Sequence, residues 1–60
     1  MLIKETINAY GEIVIVENID IWDFFCDIRE AIKHGCAIIK NDDTYLTIKS
    51  QMYHYRYSEV

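Results

Sequence analysis

The chain opens with an irregularly alternating apolar and polar stretch over residues 2–8 and continues, after a short break, into Ile13-Val14-Ile15-Val16. Between the two runs, Ala9-Tyr10-Gly11 supplies the glycine that a tight hairpin loop favours, so two antiparallel strands, 2–8 and 12–17, are expected. Four consecutive β-branched residues offer two apolar side chains to each sheet face, which predicts a strand covered on both sides. From Ile21 the period changes. Ile21, Phe24, Phe25, Ile28, Ala31 and Ile32 recur at helical spacing and form one stripe, with Phe25 and Ile28 at its middle. Asp20 stands where an N-cap acceptor is needed, Asp23 completes a weak capping-box pattern, and Gly35 suits the left-handed position past the last turn. A helix over about residues 21–34 follows.

Beyond Gly35 the period returns to two. Residues 36–40 and 44–49 flank Asn41-Asp42-Asp43, a hairpin signal because Asn and Asp tolerate turn conformations. The tail from Gln51 to Tyr57 alternates strictly and either extends the last strand or forms a fifth. The expected fold class is therefore α+β: an antiparallel sheet of four or five strands, order ββαββ(β), with one amphipathic helix on one face. Sixty residues make one domain, 1–60, of a size that buries a modest core and gains from an oligomeric or hetero-partner contact.

Composition narrows the function classes. At 52 % hydrophobic the chain is too apolar for intrinsic disorder, and no apolar run nears the roughly 20 residues that span a bilayer. Its start lacks the charged and apolar regions of a signal peptide, so a cytoplasmic chain with Cys26 and Cys36 reduced is expected. Richness in Ile, Lys, Asn and Tyr suits an AT-rich coding sequence of bacterial or phage-like origin. Ten acidic against six basic residues give a net charge of −4, which opposes binding to nucleic-acid phosphates and favours a basic protein surface.

Candidate chemistry is sparse. Cys26, His34, Cys36 and His54 lack the paired spacing of a zinc site, and the two glycines are too far apart for a phosphate loop. No metal, cofactor or catalytic residue is assigned, and a chain this short is expected to lack a substrate pocket of the usual size, about 300 Å³ or more.

Two constellations point to binding instead. Asp23, Asp27, Glu30 and His34 lie opposite the apolar stripe, with Trp22 at their margin, and could dock on a basic groove. The plainer reading is that the acids complement the helix dipole and Trp22 closes the core margin. Tyr45, Tyr53, Tyr55 and Tyr57 share odd parity, so a continuous strand would set them with Thr47, Lys49 and Gln51 on the helix-free face, and Leu46, Ile48 and Met52 toward the helix. A bulge near Ser50-Gln51 would instead turn the tyrosines into the core. The expected function is a small acidic protein-binding module, an inhibitor or adaptor acting by surface occlusion through Trp22, Asp23, Asp27, Glu30, Tyr45, Tyr53, Tyr55 and Tyr57. A homodimer centred on Tyr53 or Tyr55 is expected with it. The alternative is a nucleic-acid-binding homodimer that uses Tyr53, His54, Tyr55 and Arg56 as a base platform, aided by Lys40 and Lys49.

Overall fold

The computed structural model describes residues 1–40 and 45–60. Its elements are β1 (Leu2–Ile7), β2 (Ile13–Ile19), α1 (Ile21–Lys33), β3 (Ala37–Lys40), β4 (Tyr45–Lys49) and β5 (His54–Glu59). All strand pairs are antiparallel, in the order β2-β1-β5-β4-β3. The α+β class holds, with five strands and one helix among the described residues. The expected Asn41-Asp42-Asp43 turn lies outside the described residues.

Local chemistry explains most boundaries. Asn8 shapes the first hairpin: its side-chain Oδ1 accepts from the backbone N–H groups of Tyr10 and Glu12, both at 3.0 Å, while Gly11 takes φ +82°. Asp20 caps α1, its Oδ1 accepting the Asp23 N–H at 2.8 Å. At the other end the Cys36 N–H reaches the Ala31 carbonyl at 2.8 Å and the Gly35 N–H reaches that of Ile32 at 3.2 Å. With Gly35 at φ +71°, this is a Schellman closure that satisfies two otherwise orphan carbonyls.

The tail is a separate strand. The Ser50 N–H donates to the Tyr53 carbonyl at 3.0 Å, closing a turn that sends β5 back along β4 and on to β1. Tyr57 then stands opposite Leu46 and Tyr55 opposite Ile48, so both tyrosines face the helix. The helix-free placement expected for them is corrected. A turn of four residues, rather than a continuous strand, resets the parity. Met52, expected to point to the helix, lies in that turn and is exposed.

Among the described residues the core consists of Ala31, Ile48 and Tyr57, flanked by Ile19, Phe24, Ile28, Cys36, Leu46 and Tyr55. The inward helix positions are Phe24, Asp27, Ile28 and Ala31, so α1 is rotated from the orientation its apolar stripe predicts. Phe25, expected mid-core, is 54 % exposed, and Ile21 and Ile32 are exposed beside it. β2 departs further from expectation. It is an edge strand, and Ile13, Val14, Ile15 and Val16 are 49, 51, 52 and 62 % exposed instead of covered on both faces. The helix lies over strands nearer the middle of the sheet. The register shift between Thr6 and Ile7 leaves Val14 as an extra residue, a β-bulge, with Ile15 opposite Thr6 and Ile13 opposite Ile7.

Candidate functional site

Three groups emerge where the sequence suggested two. The first lies beneath the helix. β1 presents Lys4 on the helix side, opposite Tyr57 of β5, and α1 lowers Asp27 onto both. Lys4 Nζ donates to Asp27 Oδ2 at 2.9 Å, and the Tyr57 hydroxyl donates to the same oxygen at 2.7 Å. The ammonium also lies 4.8 Å from the Tyr55 ring centroid and 5.8 Å from that of Tyr57, within cation–π range. Phe24 meets the Tyr57 ring edge-on at 5.2 Å. Burial raises the Tyr57 hydroxyl far above the ordinary phenol value, and the hydrogen bond to Asp27 and its negative charge add to the shift. Asp27 is thus a structural acceptor inside the fold, not part of a solvent-facing acidic stripe. Its position is corrected, and so is that of Tyr57, which is 2 % exposed.

Beside this network, between the Asp27–Glu30–His34 side of α1 and the sheet, lies an open cleft of about 720 Å³. It exceeds what chain length alone suggested. Its lining is mixed in charge, from Lys4 and Asp27 within to Glu30, His34 and Lys49. His34 Nε2 lies 3.3 Å from Glu30 Oε2, an ion pair only when the imidazole is protonated. Among the described residues, no group of three or more His, Cys, Asp or Glu side chains is placed to hold a metal ion. Cys26 is exposed and Cys36 packs against the core, both as free thiols.

The second group is the helix-free sheet face. Register places Glu5, Arg56, Tyr45 and Thr47 there, with Ile3, Ile7, Val16 and Ile39 around them. Arg56 donates from Nε and Nη2 to Glu5 Oε1 at 2.8 and 2.7 Å, and its guanidinium lies 5.3 Å from the Tyr45 ring centroid. That commitment removes the cation from the base platform considered for Tyr53, His54, Tyr55 and Arg56. Tyr55 and Arg56 also point to opposite faces.

The third group is solvent-exposed and apolar. On the helix, Trp22 is 73 % exposed, and Asp23 and Glu30 are exposed on the same outer side. Trp22 therefore does not close the core margin. On the sheet edge stands the Ile13–Val16 run. Of the predicted binding residues, Trp22, Asp23 and Glu30 share the outer helix surface, Tyr45 lies on the helix-free face, and Tyr53 sits in the turn before β5. Tyr55 and Tyr57 belong to the helix–sheet interior with Asp27. Sequence reasoning missed Lys4 as the partner of Asp27, and it missed β2 as a surface. The available signal for Lys4 was a lone cation in a strand otherwise split between apolar and polar positions.

No described helix is long and apolar enough to cross a membrane. No protein-family model, curated protein or solved structure matches the chain.

Proposed function

We propose that this chain is a protein-binding module, an inhibitor or adaptor that acts by occluding its partner's surface, and that it docks through β2 and the adjoining sheet surface. One observation carries the reading: an edge strand holds four consecutive β-branched residues, each at least 49 % exposed, while only three apolar residues are buried among the described ones. Contiguous apolar surface of that kind on a small domain marks an interaction site. The net charge of −4 favours a partner with a basic surface. Trp22, Asp23 and Glu30 offer a separate contact on the outer helix face.

Site-resolved photo-crosslinking in the native cells tests this. A photoreactive residue at Val14 should give a discrete protein adduct, and one at the exposed Lys40, on β3 at the other side of the sheet, should not. Absence of an adduct from Val14, or equal yields from both positions, would refute the placement.

A homodimer across the helix-free face is a second reading, favoured by Ile3, Ile7, Val16 and Ile39 on a side that no helix covers. With Tyr55 turned inward, its centre moves to the Glu5–Arg56 pair. Sedimentation velocity at micromolar concentration distinguishes this dimer from a monomer that binds a different protein.

A further inference from the structure

The proposed docking surface has a feature that specifies its occupant: β2 is an open edge. It pairs with β1 on one side, and no described strand lies on the other. At seven residues it is the longest strand among the described residues, and beyond the Val14 bulge the stretch from Ile15 to Ile19 pairs regularly with β1. Exposed edges in soluble proteins are usually blunted by lysine, proline or brevity. β2 contains no lysine, arginine or proline, and what blunts it is the bulge and the single charge of Glu17. The opposite edge, β3, has four described residues, Ala37–Lys40.

The charges around the edge are of one sign. Glu12 and Glu17 bracket the apolar run. Glu17 stands opposite Lys4 across the β1–β2 ladder, but the Lys4 ammonium is bound to Asp27, and Glu17 makes no ion pair among the described residues. A second copy of the chain fits this edge poorly. The antiparallel register that matches all four apolar residues, Ile13 to Val16 and Val14 to Ile15, sets Glu12 against Glu17 twice. A parallel in-register pairing opposes each glutamate to its own copy. Like charges directly opposite on paired strands are destabilising, and opposite charges are stabilising.

We infer that the outer edge of β2 accepts an extended strand from a partner protein, an apolar β-branched segment flanked by lysine or arginine, which joins the sheet as a sixth strand. The inference rests on the protein-binding reading and specifies how that binding is made. Main-chain hydrogen bonds supply the alignment, side chains of alternating direction meet Ile15 on one face and Val16 on the other, and the flanking cations meet Glu12 and Glu17.

The test uses a synthetic heptapeptide of alternating valine and threonine with lysine at both ends, titrated into the isotopically labelled chain. A second peptide carries glutamate at both ends, and a third has proline at its centre. Backbone amide shifts and hydrogen exchange are followed at low and high salt. The lysine-ended peptide should protect alternate amides of β2 and weaken as salt rises. The glutamate-ended peptide should bind about tenfold more weakly, and the proline peptide should not bind. In a Glu12→Lys/Glu17→Lys variant whose circular dichroism matches that of the original chain, the preference between the first two peptides should reverse.

No response at β2 up to millimolar lysine-ended peptide overturns the inference. Equal binding of the lysine- and glutamate-ended peptides does so too, as do shifts confined to the helix or to the helix-free face. Concentration-dependent protection of β2 without peptide assigns the edge to a second copy and likewise overturns it. A Val14 crosslink that persists while the peptides fail would remove strand addition and leave the protein-binding reading standing; loss of both would remove both.

Discussion

Replacing Asp27 with alanine removes the oxygen that accepts from both Lys4 Nζ, at 2.9 Å, and the Tyr57 hydroxyl, at 2.7 Å. The Lys4 side chain is 18 % exposed and that of Asp27 is 32 % exposed, so the pair lies between a surface and a buried ion pair. Breaking a fully buried pair costs about 3–5 kcal/mol and a surface pair typically under about 1, which places Asp27→Ala at about 2–3 kcal/mol. Most of that loss is the ammonium and phenol left without their acceptor. A 60-residue domain has a total stability of about 3–9 kcal/mol, so the substitution takes a large fraction of it. At 4–8 °C per kcal/mol, Tm should fall by about 10–20 °C. Asp27→Asn keeps an acceptor for Tyr57 and should cost about half as much. Adding Lys4→Met to Asp27→Ala should recover about 1 kcal/mol relative to additivity, because no stranded cation remains. Urea and thermal melts of the original chain, these three variants and the Lys4→Met single variant, by circular dichroism, measure these differences. An Asp27→Ala variant that melts within about 2 °C of the original chain would refute the network as a structural element.

Helix orientation is checked by paired truncation: Phe24→Ala should cost about 2–4 kcal/mol because its ring packs on Tyr57, while exposed Phe25→Ala should cost under about 1. The reverse order in urea melts would restore the orientation that the apolar stripe suggested. Because the Tyr57 hydroxyl is raised on folding, the native state holds a proton that the unfolded chain releases above about pH 10. Stability from this group is therefore full below about pH 10 and falls above it by up to about 1.4 kcal/mol per pH unit. Tyr57→Phe should remove that slope in alkaline melts, and an unchanged slope would contradict the assignment. Asp20→Ala should cost about 1 kcal/mol through loss of the N-cap bond, read from the same melts. Gly35→Ala should cost about 1–2 kcal/mol because φ +71° crowds a Cβ, and a neutral result would argue against the Schellman closure.

The helix ends were legible because their determinants are local. Asp20, Gly35 and the spacing between them are read within a few residues. Its rotation was not, because hydrophobicity centres the stripe on Phe25 and Ile28, whereas the inward direction is shared with Asp27, whose partner Lys4 lies 23 positions away. The tyrosines show the same limit. Their odd parity is real, but the Ser50–Tyr53 turn resets it, and that turn carries none of the Gly or Asn signals that mark the first hairpin. Its hydrogen bond joins two backbone groups and leaves no side-chain signature. For β2, the run of β-branched residues correctly announced a strand, yet it could not distinguish a covered position from an open edge. That distinction depends on β5 returning to the middle of the sheet beside β1, which leaves β2 outermost. The candidate site changed accordingly. Trp22, Asp23 and Glu30 remain at the surface, Asp27 and Tyr57 move into the fold, and the main apolar surface is one that the sequence reading had placed in the interior.

Hydrogen exchange at the β2 amides, measured on the free chain and again on its complex with the protein crosslinked from Val14, tests the central claim most directly. The account predicts that amides between Ile13 and Ile19 gain protection in the complex while those of β5, already paired on both sides, stay as they are. Protection gained on the Trp22–Glu30 helix surface with β2 unchanged would contradict it.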